Sequence, residues 1–303
     1  MTPATGGAPS GGPAVARELP PAPVAVRRRW TGSTIGLYAA IIAISAFLLF
    51  PVYVIFLMAF LPDNDTIYSP RPPLIPPTFT LSNLSQALTS ANSPFLPSMY
   101  FSLEIAFLVG AIALLIGIPT AYGLSRLAPR LAYGLTTVMF IVNMLPSITI
   151  ALPISVQFIK AGLYGSAISI ALAQELLALP VTVFLLVGAF HALPPDLENQ
   201  ARVDGASRPQ AIFGNLVPLI RPAIVASFLL AWMLSWDEST FALILSNPVH
   251  SPLAVEIFYS VTSRGNAVYA VAFSFIATVP VLILVVFLQR YLKGEDLAVG
   301  VRG

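Results

Sequence analysis

Six apolar runs, at roughly 35–60, 100–124, 131–152, 166–190, 223–246 and 268–292, constrain this chain more than any motif does. A helix that crosses a bilayer needs about 20 mainly apolar residues, and each run reaches that length. In hydrocarbon every backbone N–H and C=O must be paired within its own segment, so such a run takes the α-helical form. Composition agrees, with 57% of the 303 residues hydrophobic and only 9% charged, against about 25% charged in soluble domains. The reading is an all-α integral membrane protein with six transmembrane helices. Pro51, Pro119, Pro146, Pro180 and Pro280 fall inside the runs and read as kinks, tolerated where neighbouring helices satisfy the freed backbone groups.

Several functions are excluded by what is missing. With no cysteine there is neither a disulfide framework nor a thiolate metal site. His191 and His250 lie far apart in sequence, so no His-rich metal site is expected. A membrane-embedded enzyme has little support, because no His/carboxylate or Ser/His cluster recurs on one face. A phosphate-cradling loop needs Gly-x-x-x-x-Gly-Lys-Ser/Thr. Lys160 follows Ile159 and Lys293 precedes Gly294, and these are the chain's two lysines. The chain therefore hydrolyses no ATP itself, and any ATPase is a separate polypeptide.

The termini and loops set the expected organisation. Residues 1–33, rich in Pro, Gly and Ala, read as a disordered tail. The apolar run after it is too long for a signal-peptide core and lacks a small-residue cleavage site. Residues 34–293 form the membrane domain and 294–303 a second tail. Basic residues collect on cytoplasmic loops. With the N-terminus inside, 12 of the 15 Lys and Arg fall on the cytoplasmic side, leaving Arg71, Lys160 and Arg264 outside. Both termini are thus expected in the cytoplasm. The net charge of +2 and the pI near 9.0 reflect these flanks rather than nucleic-acid binding. The Pro70–Pro77 run reads as an extended external cap, since Pro removes helix donors.

One polar island, residues 191–222, interrupts the apolar pattern on the cytoplasmic side. Pro194-Pro195 is a good helix start, and Asp196 and Glu198 then occupy the first turn, where the helix dipole favours anions. Leu197, Ala201 and Val203 form a small apolar face, and Gly205 ends or bends the element. A second short helix begins near Ser207-Arg208-Pro209 and carries Ala211, Ile212 and Phe213. The pair reads either as a docking surface for a soluble partner or as an interfacial connection lying on lipid headgroups.

Phe190, Pro194, Leu197-Glu198, Ala201, Asp204-Gly205-Ala206, Phe213 and Pro218 resemble the EAA loop of binding-protein-dependent ABC importer permeases. The Asp-Gly-Ala form is most similar to permeases of carbohydrate importers. Asn199-Gln200 stands where the family has Glu-Ala. Further resemblance comes from Ser102-Leu103, Ala121-Tyr122-Gly123-Leu124-Ser125-Arg126, Met144-Leu145-Pro146, Pro153, Gly162-Leu163, the pair Asp237-Glu238 after Trp236, where the family has Asn-Glu, and Gln289-Arg290 through Lys293-Gly294. It implies the type I ABC importer permease fold over residues 35–303, in a bacterial or archaeal inner membrane. It also implies that Leu197, Glu198, Asn199, Gln200, Ala201, Asp204, Gly205, Ala206 and Pro218 couple the chain to an ATPase. The partners implied are a homologous permease subunit, two ATP-binding cassette subunits and an extracytoplasmic substrate-binding protein, alongside membrane lipid. No cofactor is expected on this chain; ATP and Mg belong to the ATPase subunits.

Ionisable residues at membrane depth face a cavity or a partner helix. Glu104, Glu175, Asp237 and Glu238 are the candidates, and they serve either as interhelical bonds or as a polar lining for solute. Adjacent Asp237 and Glu238 point about 100 degrees apart on a helix and cannot share a direction. Trp232 and Trp236, one turn apart, read as packing or as a surface for a sugar face; Ser147 and Thr149 are further lining candidates. The expected function is a permease moving a sugar or oligosaccharide without covalent chemistry. A polyamine or glycerol derivative on the same machinery is the nearest alternative, and an ion-coupled secondary transporter using Glu104, Glu175 and Asp237 a more distant one.

Overall fold

The computed structural model describes residues 32–61, 73, 75, 78–89, 93–194, 196–247, 249–265 and 267–292. Nearly all of the 1–33 tail, the 294–303 tail and most of the Pro70–Pro77 run lie outside them. The chain divides into two units, residues 1–50 and 51–303. In the first, the described part is the leading length of α1 (Gly32–Phe60), whose apolar side chains Ile42, Phe47 and Leu48 are exposed.

The second unit holds α2 (Ser82–Thr89), α3 (Phe95–Ser125), α4 (Pro129–Asn143), α5 (Ser147–Lys160) and α6 (Ala167–His191). After them come α7 (Asp196–Val203), α8 (Arg208–Leu219), α9 (Arg221–Asp237), α10 (Thr240–Leu245), α11 (Leu253–Thr262) and α12 (Ala267–Leu292). Four helices, α1, α3, α6 and α12, are long and apolar enough to cross a membrane singly, and the bent pairs α4–α5 and α8–α9 bring the number to six.

Two expected spans are therefore corrected. The run 131–152 is not one helix, because the chain turns by 87° between α4 and α5. Pro146 disfavours helical backbone at the residue before it, and α4 stops at Asn143 with Pro146 at the N-cap of α5. The run 223–246 stops at Asp237, where Glu238 takes extended backbone and its carboxylate caps α10; at the other end, α8 meets α9 at 79°. There Pro222 lacks an N–H and its ring opposes the carbonyl of Pro218, which favours a break at the end of α8. Pro222 instead sits in the first turn of α9, where no donor is needed. Within α8, residues Ala211–Leu216 widen into a π-helix just ahead of Pro218, the accommodation expected where proline removes a ladder bond.

The core is built by α3, α6 and α9. Small residues on one face of α3, namely Ala106, Gly110, Ala113, Gly117 and Ala121, are all buried and let the backbones approach closely. A Cβ added at Gly110 would lie 2.5 Å from the Phe228 ring of α9, and one at Gly117 would lie 2.9 Å from Thr182 of α6. Three apolar clusters result. Ile105, Val109, Ile170, Ala171 and Phe241 fill the first. Ala121, Leu186, Phe190 and Leu216 fill a second, toward the end bearing α7. Phe95, Leu253 and Phe273 fill a third, among α2, α3, α11 and α12.

Candidate functional site

At the α7 end, the polar island folds as two short helices around one glycine. Gly205 adopts φ +93°, a left-handed conformation costly for any residue with a Cβ. The Ala206 N–H donates to the Ala201 carbonyl at 3.0 Å and the Gly205 N–H to the Arg202 carbonyl at 3.1 Å. These two bonds close the last turn of α7 and satisfy carbonyls the helix would leave unpaired. After the turn, the Ser207 N–H donates to the Gln210 side-chain oxygen at 2.8 Å, which starts α8.

The residues expected to couple the chain to an ATPase divide by face. Leu197 packs with Phe190, Leu216 and Ala121, and Ala201, Ala206 and Pro218 are half-buried. Asn199, Gln200, Asp204 and Gly205 are exposed, as is Val203 at 86%. Glu198 does not join that outward set. Its carboxylate accepts from the Tyr122 hydroxyl at 2.8 Å and pairs with Arg126 at 3.1 Å, both from the last turn of α3. Tyr122 packs edge-on to Phe190 at 5.8 Å, and the Arg126 guanidinium lies 5.3 Å from the Tyr122 ring centre. Tyr122 and Arg126 stand one turn apart in sequence and so on one face; that spacing was a visible signal, but Glu198 as their shared partner was not.

The opposite end of α9 gathers a second set. The helix ends at Asp237, and Glu238 has extended backbone with ψ 118°. Its carboxylate accepts from the backbone N–H groups of Thr240 at 2.7 Å and Phe241 at 3.0 Å, capping α10. It also accepts from the Gln174 side-chain amide at 3.2 Å, and the Ser235 hydroxyl donates to the Gln174 oxygen at 2.6 Å. Gln174 and Ser235 escaped sequence reading because neither is ionisable. Glu238 is thus an internal cap, whereas Asp237 is exposed.

Asp237 stands between two cavities. One, of about 360 Å³, is lined by Ser102, Trp236, Asp237, Ser274 and Thr278 with apolar neighbours. The other, of about 620 Å³, is lined by Ile148, Asp237, Thr240, Leu243 and Phe258 among others. Asp237 is the charged residue in either lining. Trp232 and Trp236 stack on each other, with ring centres 4.9 Å apart and planes at 11°. Trp232 is 2% exposed, so its face is packing surface, while Trp236 lines the smaller cavity. Ser147 and Thr149 flank the lining residue Ile148 without lining either cavity themselves. Glu104 is exposed on α3, away from both. Glu175 is 4% exposed, and neither of its carboxyl oxygens has a hydrogen-bond partner among the described residues, a costly arrangement. No group of three or more His, Cys, Asp or Glu among the described residues is arranged to hold a metal ion.

The family described as binding-protein-dependent transport system inner membrane component matches residues 113–294, a range that includes α7, Asp237 and the helices α10, α11 and α12. The inner membrane ABC transporter permease protein YcjP of Escherichia coli (strain K12) is 28% identical over 90% of this chain and 98% of its own length. The trehalose transport system permease protein SugB of Mycobacterium tuberculosis is 27% identical over 80% of this chain and 88% of its own. A bacterial ABC transporter involved in import of the acidic polysaccharide alginate superposes with a TM-score of 0.70 at 20% identity, covering 87% of this chain and 99% of that one. The family match spans more than half of the chain, across both bent helix pairs and the α7 turn. The chain belongs to the binding-protein-dependent transport system inner membrane component family of ABC permeases.

Proposed function

We propose that the chain forms half of the translocation pathway of an ATP-driven importer, moving a sugar or oligosaccharide that an extracytoplasmic binding protein delivers. The observation that carries this reading is the outward face of α7, where Asn199, Gln200, Asp204 and Gly205 are exposed beside an anchored Leu197 and Glu198. Such a face suits a cleft in a soluble ATPase, with ATP and Mg held there, because this chain has no phosphate-cradling loop of its own. A second, homologous permease would complete the pathway. The sequence's excess of Lys and Arg on the side assigned to residues 191–222 supports a cytoplasmic position for α7.

The cavities at Asp237 suit a hydroxyl-rich solute. A carboxylate accepts hydrogen bonds only, and the hydroxyls of Ser102, Ser274 and Thr278 retain accepting capacity. No basic residue lines either cavity, so an uncharged or cationic solute fits better than an anionic one. That same carboxylate favours the polyamine within the second reading, a polyamine or a glycerol derivative on the same machinery.

Purification through this chain, followed by thermal-shift screening of the co-purified binding protein against sugars and polyamines, identifies the cargo class. Uptake into proteoliposomes should then require internal or external ATP according to orientation and ignore a protonophore. Protonophore-sensitive uptake that survives ATP depletion would select an ion-coupled transporter instead. Gly205→Leu should abolish uptake while the chain still inserts; normal uptake in that variant counts against α7 as the coupling element.

A further inference from the structure

We propose that Glu198, Tyr122 and Arg126 form a joint that makes α7 and the end of α3 move as one body. Motion imposed on α7 then reaches the three-helix core through α3. This rests on reading α7 as the element that docks the ATPase, and it adds the route by which α7 acts.

The covalent connections of α7 are poor levers. It is preceded by a turn through Leu193 and Pro194 and followed by the Gly205 turn, where the glycine has open space around its Cβ position. The side-chain connection is firmer. Both carboxylate oxygens of Glu198 are engaged, one by the Tyr122 hydroxyl at 2.8 Å and the other by Arg126 at 3.1 Å. The Glu198 side chain is 13% exposed and that of Arg126 32%, so solvent competes for the pair only partly. Charge-assisted bonds of this kind are stronger than neutral ones. Leu197, next in sequence, anchors the same face of α7 in the cluster with Ala121 and Phe190.

The receiving element is suited to carry motion inward. Tyr122 and Arg126 sit in and just after the last turn of α3, a 31-residue helix that extends about 45 Å at 1.5 Å per residue. Close-packed glycines fix α3 against Phe228 of α9 and Thr182 of α6, so a displacement at its end is passed to both neighbours rather than absorbed. The Glu198 carboxylate, which the sequence pattern groups with residues that meet the ATPase, thus works as a positioning group between two elements of its own chain.

The test uses the purified complex in lipid nanodiscs. Because this chain has no cysteine, spin labels can be placed by Asp196→Cys with Leu127→Cys, and by Asp196→Cys with Val286→Cys, in a complex whose other subunits carry no reactive thiol. These positions are exposed and lie outside both the joint and the face offered to the ATPase. Distances are measured without nucleotide and after trapping with ATP and vanadate. The expected result is a 196–127 distance constant to within about 2 Å, the size of an ordinary packed-helix shift, while the 196–286 distance changes by more. In Glu198→Ala and in Tyr122→Phe the 196–127 distance should become state-dependent or broad. The exchange Glu198→Arg with Arg126→Glu should make it constant again, a rescue that a loss of packing alone would not give.

A 196–127 distance that changes in the chain without joint substitutions overturns the proposal, as does one that stays constant in both single variants. So does a charge exchange that assembles but leaves the distance state-dependent. If Glu198→Ala fails to assemble, Tyr122→Phe and the exchange decide. If no ATPase co-purifies with the unaltered chain, the docking reading itself has failed, which is distinguishable from failure of the joint.

Discussion

Each end of the bundle carries a pair of acids, and the two pairs are divided in the same way. At the α7 end Glu198 is tied to Tyr122 and Arg126 while Asp204 is exposed with no side-chain bond among the described residues. At the other end Glu238 caps α10 and meets Gln174 while Asp237 is exposed between two cavities. The bound acid in each pair sets a chain direction, and the free one is available to something outside the chain. Charge alone therefore does not mark a functional carboxylate; what marks it is whether its own chain has already satisfied it.

That division can be broken experimentally. The largest stability effect is expected from Glu238→Ala, which leaves the first N–H groups of α10 and the Gln174 amide without their acceptor. A loss of about 2 kcal/mol follows from a lost cap together with unsatisfied buried donors. It would appear as a lower midpoint in thermal unfolding of the detergent-purified protein. Glu198→Ala should cost less, about 1.5 kcal/mol, because Arg126 retains contact with solvent. The same unfolding measurement ranks the two, and a larger loss at Glu198 would reverse the comparison.

The free acids should behave in the opposite sense. Asp204→Lys should change stability by no more than about 0.5 kcal/mol, as surface substitutions do. Uptake should nevertheless fall sharply, since the reversed charge lies on the face offered to the ATPase. Asp237→Asn is expected to leave both stability and assembly unchanged. Its effect should be confined to the concentration dependence of uptake, raising the half-saturating solute concentration several-fold, about 1 kcal/mol for one lost hydrogen bond. An Asp237→Asn variant that unfolds early instead would move Asp237 into the bound class.

Much of the fold was legible before any coordinates, and for a definite reason. Lipid leaves an apolar run of about 20 residues little choice but helix, so the ranges near α1, α3, α6 and α12 were readable. The turn at Gly205 was readable too, because a glycine at the end of a short helix commonly adopts the left-handed conformation. The break at Pro146 and the end of α9 at Asp237 were misjudged. An apolar run continues through Met144-Leu145-Pro146, and proline in a membrane helix either kinks it or ends it according to what packs beside it. Hydropathy sums over a window and does not register an 87° turn.

What the sequence by itself determined is the class of protein, the four unbroken apolar spans and the position of the polar island along the chain, all of which depend on local composition and period. Which acids are bound and which are free was decided by tertiary structure alone. Glu198 finds Tyr122 across 76 residues of sequence and Glu238 finds Gln174 across 64. Those meetings depend on α3, α6 and α9 packing at one register through Gly110 and Gly117. A side chain's partner is set by where other helices bring their own side chains, and no local pattern around Glu198 or Glu238 contains that information.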